Sequence, residues 1–343
     1  MRVLLTGDRG YIGAVLRPLL LSRGHQVVGL DAGFFDEHGS AGAEGGPRRD
    51  LRDIRPDDLE GIDAVLHLAA LSNDPLGALD PEWTAAINLR ASLALAQAAK
   101  QAGVRRFVFS SSCSVYGVAD SQTLLHEDSS CQPLTAYARS KLAVEEGLDA
   151  LAGDGFAPVS LRHATAHGMS PRVRLDLVLN NFVGWACATG VVRLESDGQA
   201  IRPMVHVRDI AAAFVAMLDA PVQRIAGQRF NVGCNAQNFR IVDLARVVCD
   251  VVPGTRLDLG HGRPSDARSY RVSFDKIGRT LPEFAPAWDV RRSARELFAA
   301  LSPLSLTRDR LASREFVRVA QIEHLLQRGQ LDRDLRWQDA ACP

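Results

Sequence analysis

Short apolar runs and amphipathic stretches alternate along the first half of the chain. Arg2–Thr6, Gln26–Leu30, Ala64–Leu68 and Arg106–Ser110 read as strands, with Val159–Arg162 a further apolar run. Between them, Tyr11–Arg23, the Ala/Leu-rich Pro81–Gly103 and Ala136–Leu151 carry helical periodicity. Strands separated by helices pair in parallel through right-handed crossovers, which predicts an α/β fold built on a doubly wound parallel sheet. The Gly-rich, polar stretch Phe34–Arg49 reads as a loop after the second strand. Beyond His163 the pattern loosens into short elements. From Leu304 to Trp337 a charged helical tail is expected, with Phe316, Val319, Ile322 and Leu325 on one apolar face.

The chain has 343 residues, enough for one large domain or two closely joined ones. Forty basic residues offset forty acidic ones, so no global field draws nucleic acid or an anionic membrane. The arginine-rich tail is balanced by its acids and reads as a docked, solvated helix rather than an RNA-binding arm. The opening MRVLLTGDRGYIG runs straight into a strand and turn, unlike a leader, and the expected location is cytoplasmic. The six cysteines (113, 131, 187, 234, 249, 342) show no C-x-x-C, so reduced thiols and no metal are expected.

Two motifs carry chemistry. Gly7, Gly10 and Gly13 follow the first strand and open the first helix, where small residues let a diphosphate approach backbone N–H groups. Asp31 ends the second strand, placed to accept both ribose hydroxyls of an adenosine and to repel a 2′-phosphate, so NAD is expected over NADP. Arg9 in the turn is the residue that would tolerate that phosphate. Tyr137 and Lys141 form Y-x-x-x-K on one helix face in a chain with only four tyrosines and three lysines. A lysine ammonium near a phenol stabilises the phenolate and makes it a usable base. Ser110, Ser111 and Ser112 end the strand ahead of it and offer hydroxyls to a substrate oxygen.

TGDRGYIG, Asp31, HLAALS, FSSSCSVYG, YARSK and RPMVHVRD, in that order, resemble the extended short-chain dehydrogenase/reductases, in the nucleotide-sugar epimerase, dehydratase and reductase branch. The resemblance spans about residues 1–300. It implies a Rossmann-type NAD-binding domain (1–165 plus about 203–232) and a smaller α/β substrate domain (about 166–202 plus 233–300), followed by the tail 301–343. A homodimer joined through long helices is the implied assembly, and a nucleotide-diphosphate sugar the implied substrate, with no nucleic acid or membrane partner. By motif, the cofactor residues would be Gly7, Gly10, Tyr11, Ile12, Gly13, Asp31, Asp50, Leu51, Leu68, Ala69, Ala70, Asn88, Ser110, Tyr137, Lys141 and His163. Ser112, Tyr137 and Lys141 would be catalytic, and Ser112, Thr165, Asn181, Arg202 and Arg263 would meet substrate, the arginines clamping its diphosphate.

Departures narrow the reaction. Cys113 and Ser114 follow Ser112, so the acidic residues of the family's 4,6-dehydratases are missing. The 3,5-epimerases carry a cysteine where Ser114 stands; Cys113 is expected to be a small buried thiol. His163 and His167 are expected as packed loop histidines, with a proton-donor role the alternative, and His67 and His206 as core residues with a satisfied polar end. The expected activity is an NAD-dependent nucleotide-sugar epimerase working by oxidation and reduction at C4. The alternatives are a keto-sugar reductase or dehydrogenase and, in another class, a non-catalytic dinucleotide sensor, which would not need an activated phenol.

Overall fold

The computed structural model describes residues 1–36, 47–72, 74–118, 123–260 and 269–338. Six parallel strands form the central sheet in the order Gln228–Val232, Ala157–His163, Arg106–Ser112, Ala64–His67, Arg2–Thr6, Gln26–Leu30. The chain therefore winds one way to Gln26–Leu30 and the other way from Ala64–His67 onward. The crevice at the carboxyl ends of the strands on either side of such a reversal is where doubly wound sheets bind ligands.

Alternate side chains of each strand feed opposite faces, as the pleat requires. Val3, Leu5, Leu66 and Val108 pack with Leu16 and Leu20 of the first helix (Gly13–Ser22) and with Ile210 and Phe214 of Val207–Asp219. Leu4, Val65, Phe107 and Phe109 face the other way, onto Leu95 and Ala99 of Ala91–Gln101 and Val144 and Leu148 of Ala136–Leu151. With both faces covered, the strands read as continuous apolar runs.

The loosened pattern after His163 hides a second apolar core. Helices Val178–Thr189, Ile241–Val251 and Val290–Leu301 pack with Met204 and the paired strands Val191–Leu194 and Arg256–Leu259. Two sequence expectations change. Pro81–Gly103 is not one α-helix: Ala85–Arg90 is wound as a π-helix between Pro81–Thr84 and Ala91–Gln101. The tail is also two helices, Arg308–Leu311 and Arg318–Gln327. Its Ile322 and Leu325, with Leu331 and Leu335, pack against Phe34, Leu71, Leu76 and Ile87 of the first lobe. Among the described residues no helix is long and apolar enough to cross a membrane.

Candidate active site

A cavity of about 1130 Å³ opens at the carboxyl ends of the sheet strands. Gly7, Gly10, Tyr11, Ile12 and Gly13 form one wall, at the positive end of the helix that starts at Gly13. No larger residue fits this turn. Gly7 has φ +71°, and a Cβ there would sit 2.8 Å from the Ala69 nitrogen. A Cβ on Gly13 would meet the Gly7 carbonyl at 2.1 Å. The turn is thus as close to the Leu68–Ala69 backbone as glycine permits, which leaves a cradle for a diphosphate.

Asp31 lies on the same cavity. Its carboxylate accepts from the Gly33 nitrogen at 2.8 Å and the Arg9 nitrogen at 3.2 Å. Burial raises its pKa, while those two N–H groups and the Arg9 charge oppose the rise. Arg9 turns its guanidinium to Asp36 at 2.6 Å. Asp50, Leu51, Leu68, Ala69 and Ala70 also line the cavity. Asn88 does not: it is buried behind the wall, accepting from the Leu71 nitrogen at 2.8 Å and donating to the Leu71 carbonyl at 3.0 Å.

The strand Arg106–Ser112 and the helix Ala136–Leu151 bring Ser110, Ser112, Tyr137 and Lys141 to the cavity. Lys141 is buried and donates to the Ser110 carbonyl at 2.7 Å, with its nitrogen 5.6 Å from the centre of the Tyr137 ring. Burial lowers the ammonium pKa to about 7, against an upward pull from Glu145. The expected depression of the phenol is absent. Burial and then Asp74 push Tyr137 up to about 12, with Arg174 and Ser112 lowering it only in part. The cost of ionising a desolvated phenol outweighs the cations around it.

Behind the serines lies a buried ion pair. Arg162 holds Glu145 through Nε and Nη2, at 3.0 and 2.6 Å, and Glu145 also accepts from Ser111. Cys113 is a buried thiol 3.3 Å from the Arg162 carbonyl, with its pKa raised by burial. His163 proves to be a strand-end residue on the cavity rather than a loop histidine. Neither ring nitrogen has a partner, and burial, with Lys141 nearby, pushes its pKa to about 3. A buried neutral imidazole with nothing to bond is a polar group waiting for a ligand. His167 instead meets the Ser293 hydroxyl at 2.8 Å, away from the cavity. His67 and His206 are buried with both ring nitrogens bonded.

Toward the second lobe, Thr165 and Arg202 line the cavity. Arg202 donates to the Ile201 carbonyl at 3.0 Å and lies over the Tyr270 ring. Asn181 is a correction: its amide reaches back to the Leu175 carbonyl at 2.8 Å, securing the start of its helix, and is off the cavity wall. Arg263 lies outside the described residues, as does Cys342. Pattern reading missed Arg174 and Arg318, both on the wall. Arg174 is held by Asp176 through two bonds, at 2.9 and 2.7 Å. The R-x-D spacing was the available signal, whereas Arg318 lay hidden among a charged tail's many arginines.

The glycine cradle, the acid at the second strand and the orphaned His163 fit a dinucleotide. Known proteins agree. The model of the family described as NAD dependent epimerase/dehydratase matches residues 3–233. The UDP-glucose 4-epimerase of Azospirillum brasilense is 32% identical over 312 residues, covering 82% of this chain and 86% of that protein. The UDP-glucose 4-epimerase of Streptomyces lividans is 32% identical over 270 residues, covering 72% and 79%. A solved structure described as MoeE5 in complex with UDP-glucose and NAD superposes with a TM-score of 0.75 at 27% identity, covering 87% of this chain and 98% of that one. The chain therefore belongs to the NAD dependent epimerase/dehydratase family, with NAD as its cofactor.

Proposed function

We propose that the protein is a nucleotide-sugar epimerase that inverts a hexose carbon, C4, through transient oxidation. The observation that carries this reading is the convergence of Ser112, Tyr137 and Lys141 on the cavity that also holds the glycine cradle and Asp31. The names of the two relatives and the UDP-glucose in the neighbouring structure support a UDP-hexose as substrate.

Tyr137 accepts the proton of the C4 hydroxyl while the C4 hydrogen departs as hydride, leaving a 4-keto sugar. Ser112 donates a hydrogen bond to a lone pair of the reacting oxygen and so helps hold its O–H toward Tyr137. When bound, NAD supplies a hydride acceptor that becomes the donor for the return, and a positive ring that favours the phenolate. Lys141, anchored on the Ser110 carbonyl, orients the ribose next to that ring. His163 offers a neutral ring to the same end of the cleft. Arg202 holds the substrate diphosphate while the keto sugar turns over and presents its other face. Tyr137 then returns the proton. The Cys113–Ser114 sequence supplies no carboxylate to expel water, so elimination does not compete.

The test is product NMR on UDP-glucose and UDP-galactose. Interconversion over many turnovers with no net consumption of dinucleotide is expected, and Tyr137→Phe should lower turnover at least ~10²-fold. Steady oxidation of reduced cofactor by a keto-sugar, with no interconversion of the 4-hydroxy sugars, would instead identify a reductase.

A further inference from the structure

Residues 304–338 lie beyond the part of the chain that the family model matches; Leu306, Leu311 and Phe316 pack into the second core, and the part from Arg318 onward closes on the cofactor cleft. Trp337 donates its ring N–H to the Ala32 carbonyl at 2.7 Å, and buried Gln321 donates to the Phe34 carbonyl at 3.1 Å. Arg52, two residues past Asp50, donates to the carbonyls of Asp334 and Leu335 at 2.6 and 3.1 Å. Every one of these contacts falls on the segments after the second strand or around Asp50, the adenosine end of the cleft.

Arg318 begins the tail's longer helix and reaches inward. Its guanidinium carbon lies 4.0 Å from the centre of the Phe35 ring, and the side chain lines the same cavity as Gly7, Gly10 and Asp31. Three arginines nearby have a carboxylate partner: Arg174 pairs with Asp176 at 2.7 Å, while Arg9 and Arg172 share Asp36, at 2.6 and 3.7 Å. Among the described residues, no carboxylate or carbonyl hydrogen-bonds to Arg318. Burial, then Arg174, brings its pKa down to about 9, with Arg172 adding to the fall and Asp176 and Asp31 opposing it. It is still a cation at neutral pH. A desolvated guanidinium with no carboxylate in direct contact is costly unless an anion arrives.

We propose that the carboxy-terminal segment is a strap across the adenosine end of the cleft, and that its Arg318 meets the diphosphate of the bound dinucleotide. This rests on the cofactor site described above. The chemistry suits the residue, because a planar guanidinium donates to two phosphate oxygens at once. The consequence suits an epimerase, which reuses the same dinucleotide and gains from slow release.

The experiment compares the full-length parent with Arg318→Ala and Arg318→Lys. Affinities for NAD, ADP, adenosine and UDP are measured by calorimetry or equilibrium dialysis, and NAD release by chase. Arg318→Ala should bind NAD and ADP roughly 10- to 100-fold more weakly and release NAD correspondingly faster. Adenosine and UDP should bind within about twofold of the parent, and Lys should recover part of the loss. Unchanged NAD and ADP affinities in Arg318→Ala would overturn the proposal. So would an equal loss of adenosine, which marks a purely structural strap, or a loss confined to UDP, which assigns the guanidinium to the substrate. A parent that binds no NAD would instead refute the cofactor site itself. Unfolding of the ligand-free variants, followed by circular dichroism, confirms that each retains the parent's fold.

Discussion

Lys141 combines two demands that conflict inside a protein. The proposed mechanism needs its ammonium beside the phenol and the cofactor, yet it sits buried with one backbone carbonyl as its near partner. Burial lowers its pKa to about 7, so the folded protein binds this proton less tightly than the unfolded chain, where lysine titrates near 10.4. Between pH 7 and about 10 the unfolded state holds the extra proton, and stability gains from this residue as pH rises. Below pH 7 both states are protonated and the full penalty remains. Lys141→Met keeps the stem and removes the charge. It should raise the melting temperature by at least ~2 °C at pH 6, with the advantage shrinking toward pH 10. Thermal unfolding across that pH range, without added dinucleotide, checks this. An advantage constant with pH would mean that the lysine stays protonated in the fold. The residue's presence was legible in the spacing of Y-x-x-x-K. Its altered proton affinity was not, since that depends on how deeply the strand and helix bury it.

The interrupted helix shows what an element can do beyond its periodicity. Ala/Leu-rich spacing in Pro81–Gly103 correctly places a helical region but gives no sign of the π-helix Ala85–Arg90. Such turns are uncommon and tend to mark sites. Here Asn88 fastens the backbone of Leu71, and Ser92 donates to the Asn88 carbonyl at 2.7 Å. Ser92 also meets His67 at 2.7 Å, His67 meets Thr6 at 2.7 Å, and Thr6 accepts from the nitrogens of Leu68 and Ala69 at 3.1 Å. A buried polar chain thus runs from the helix to the wall that the glycine turn touches. Pattern reading found Asn88 only by resemblance, because hydrogen bonds between distant segments leave no periodic trace. Asn88→Ala strands both polar groups of Leu71 and should cost about 2–5 kcal/mol. The midpoint of urea unfolding measures that loss, and NAD affinity should fall about tenfold as the 68–71 wall loosens. A variant as stable as the parent would show that water replaces the amide.

At the scale of the whole molecule, the two apolar cores meet along a cleft, and Tyr11 is a direct tie between them. It belongs to the glycine turn of the first lobe. Its hydroxyl donates to the Gly168 carbonyl at 2.7 Å, and its own carbonyl accepts from the Ser170 hydroxyl at 2.7 Å. Asn180, on the first turn of the helix Val178–Thr189, accepts from the Gly168 nitrogen and donates to the Arg174 carbonyl, both at 2.9 Å. The segment that carries Arg174 to the cavity wall is therefore tied to the cofactor turn through the phenol and the backbone of one residue. The parallel core was readable because strands and helices repeat locally. The second lobe was not, because its helices and short strands acquire meaning only once Met204, Leu244 and Leu297 find one another across long separations. Tyr11→Phe removes the hydroxyl and preserves the ring. The turn keeps its own bonds, Gly7 to the Leu30 carbonyl at 2.8 Å and Gly10 to the Gly7 carbonyl at 3.0 Å, so NAD affinity should change by less than about threefold. Losing the bond to Gly168 and the longer one accepted from Asn180 at 3.4 Å should cost about 1–2 kcal/mol and lower the melting temperature by a few degrees. Nucleotide-sugar affinity should fall further than NAD affinity, since the 168–176 segment loses one of its ties to the first lobe while the cradle keeps all of its bonds. Parallel calorimetric titrations with NAD and with a UDP-hexose decide it: equal losses for both ligands would place Tyr11 in the cradle alone, and would remove it as the link between the lobes.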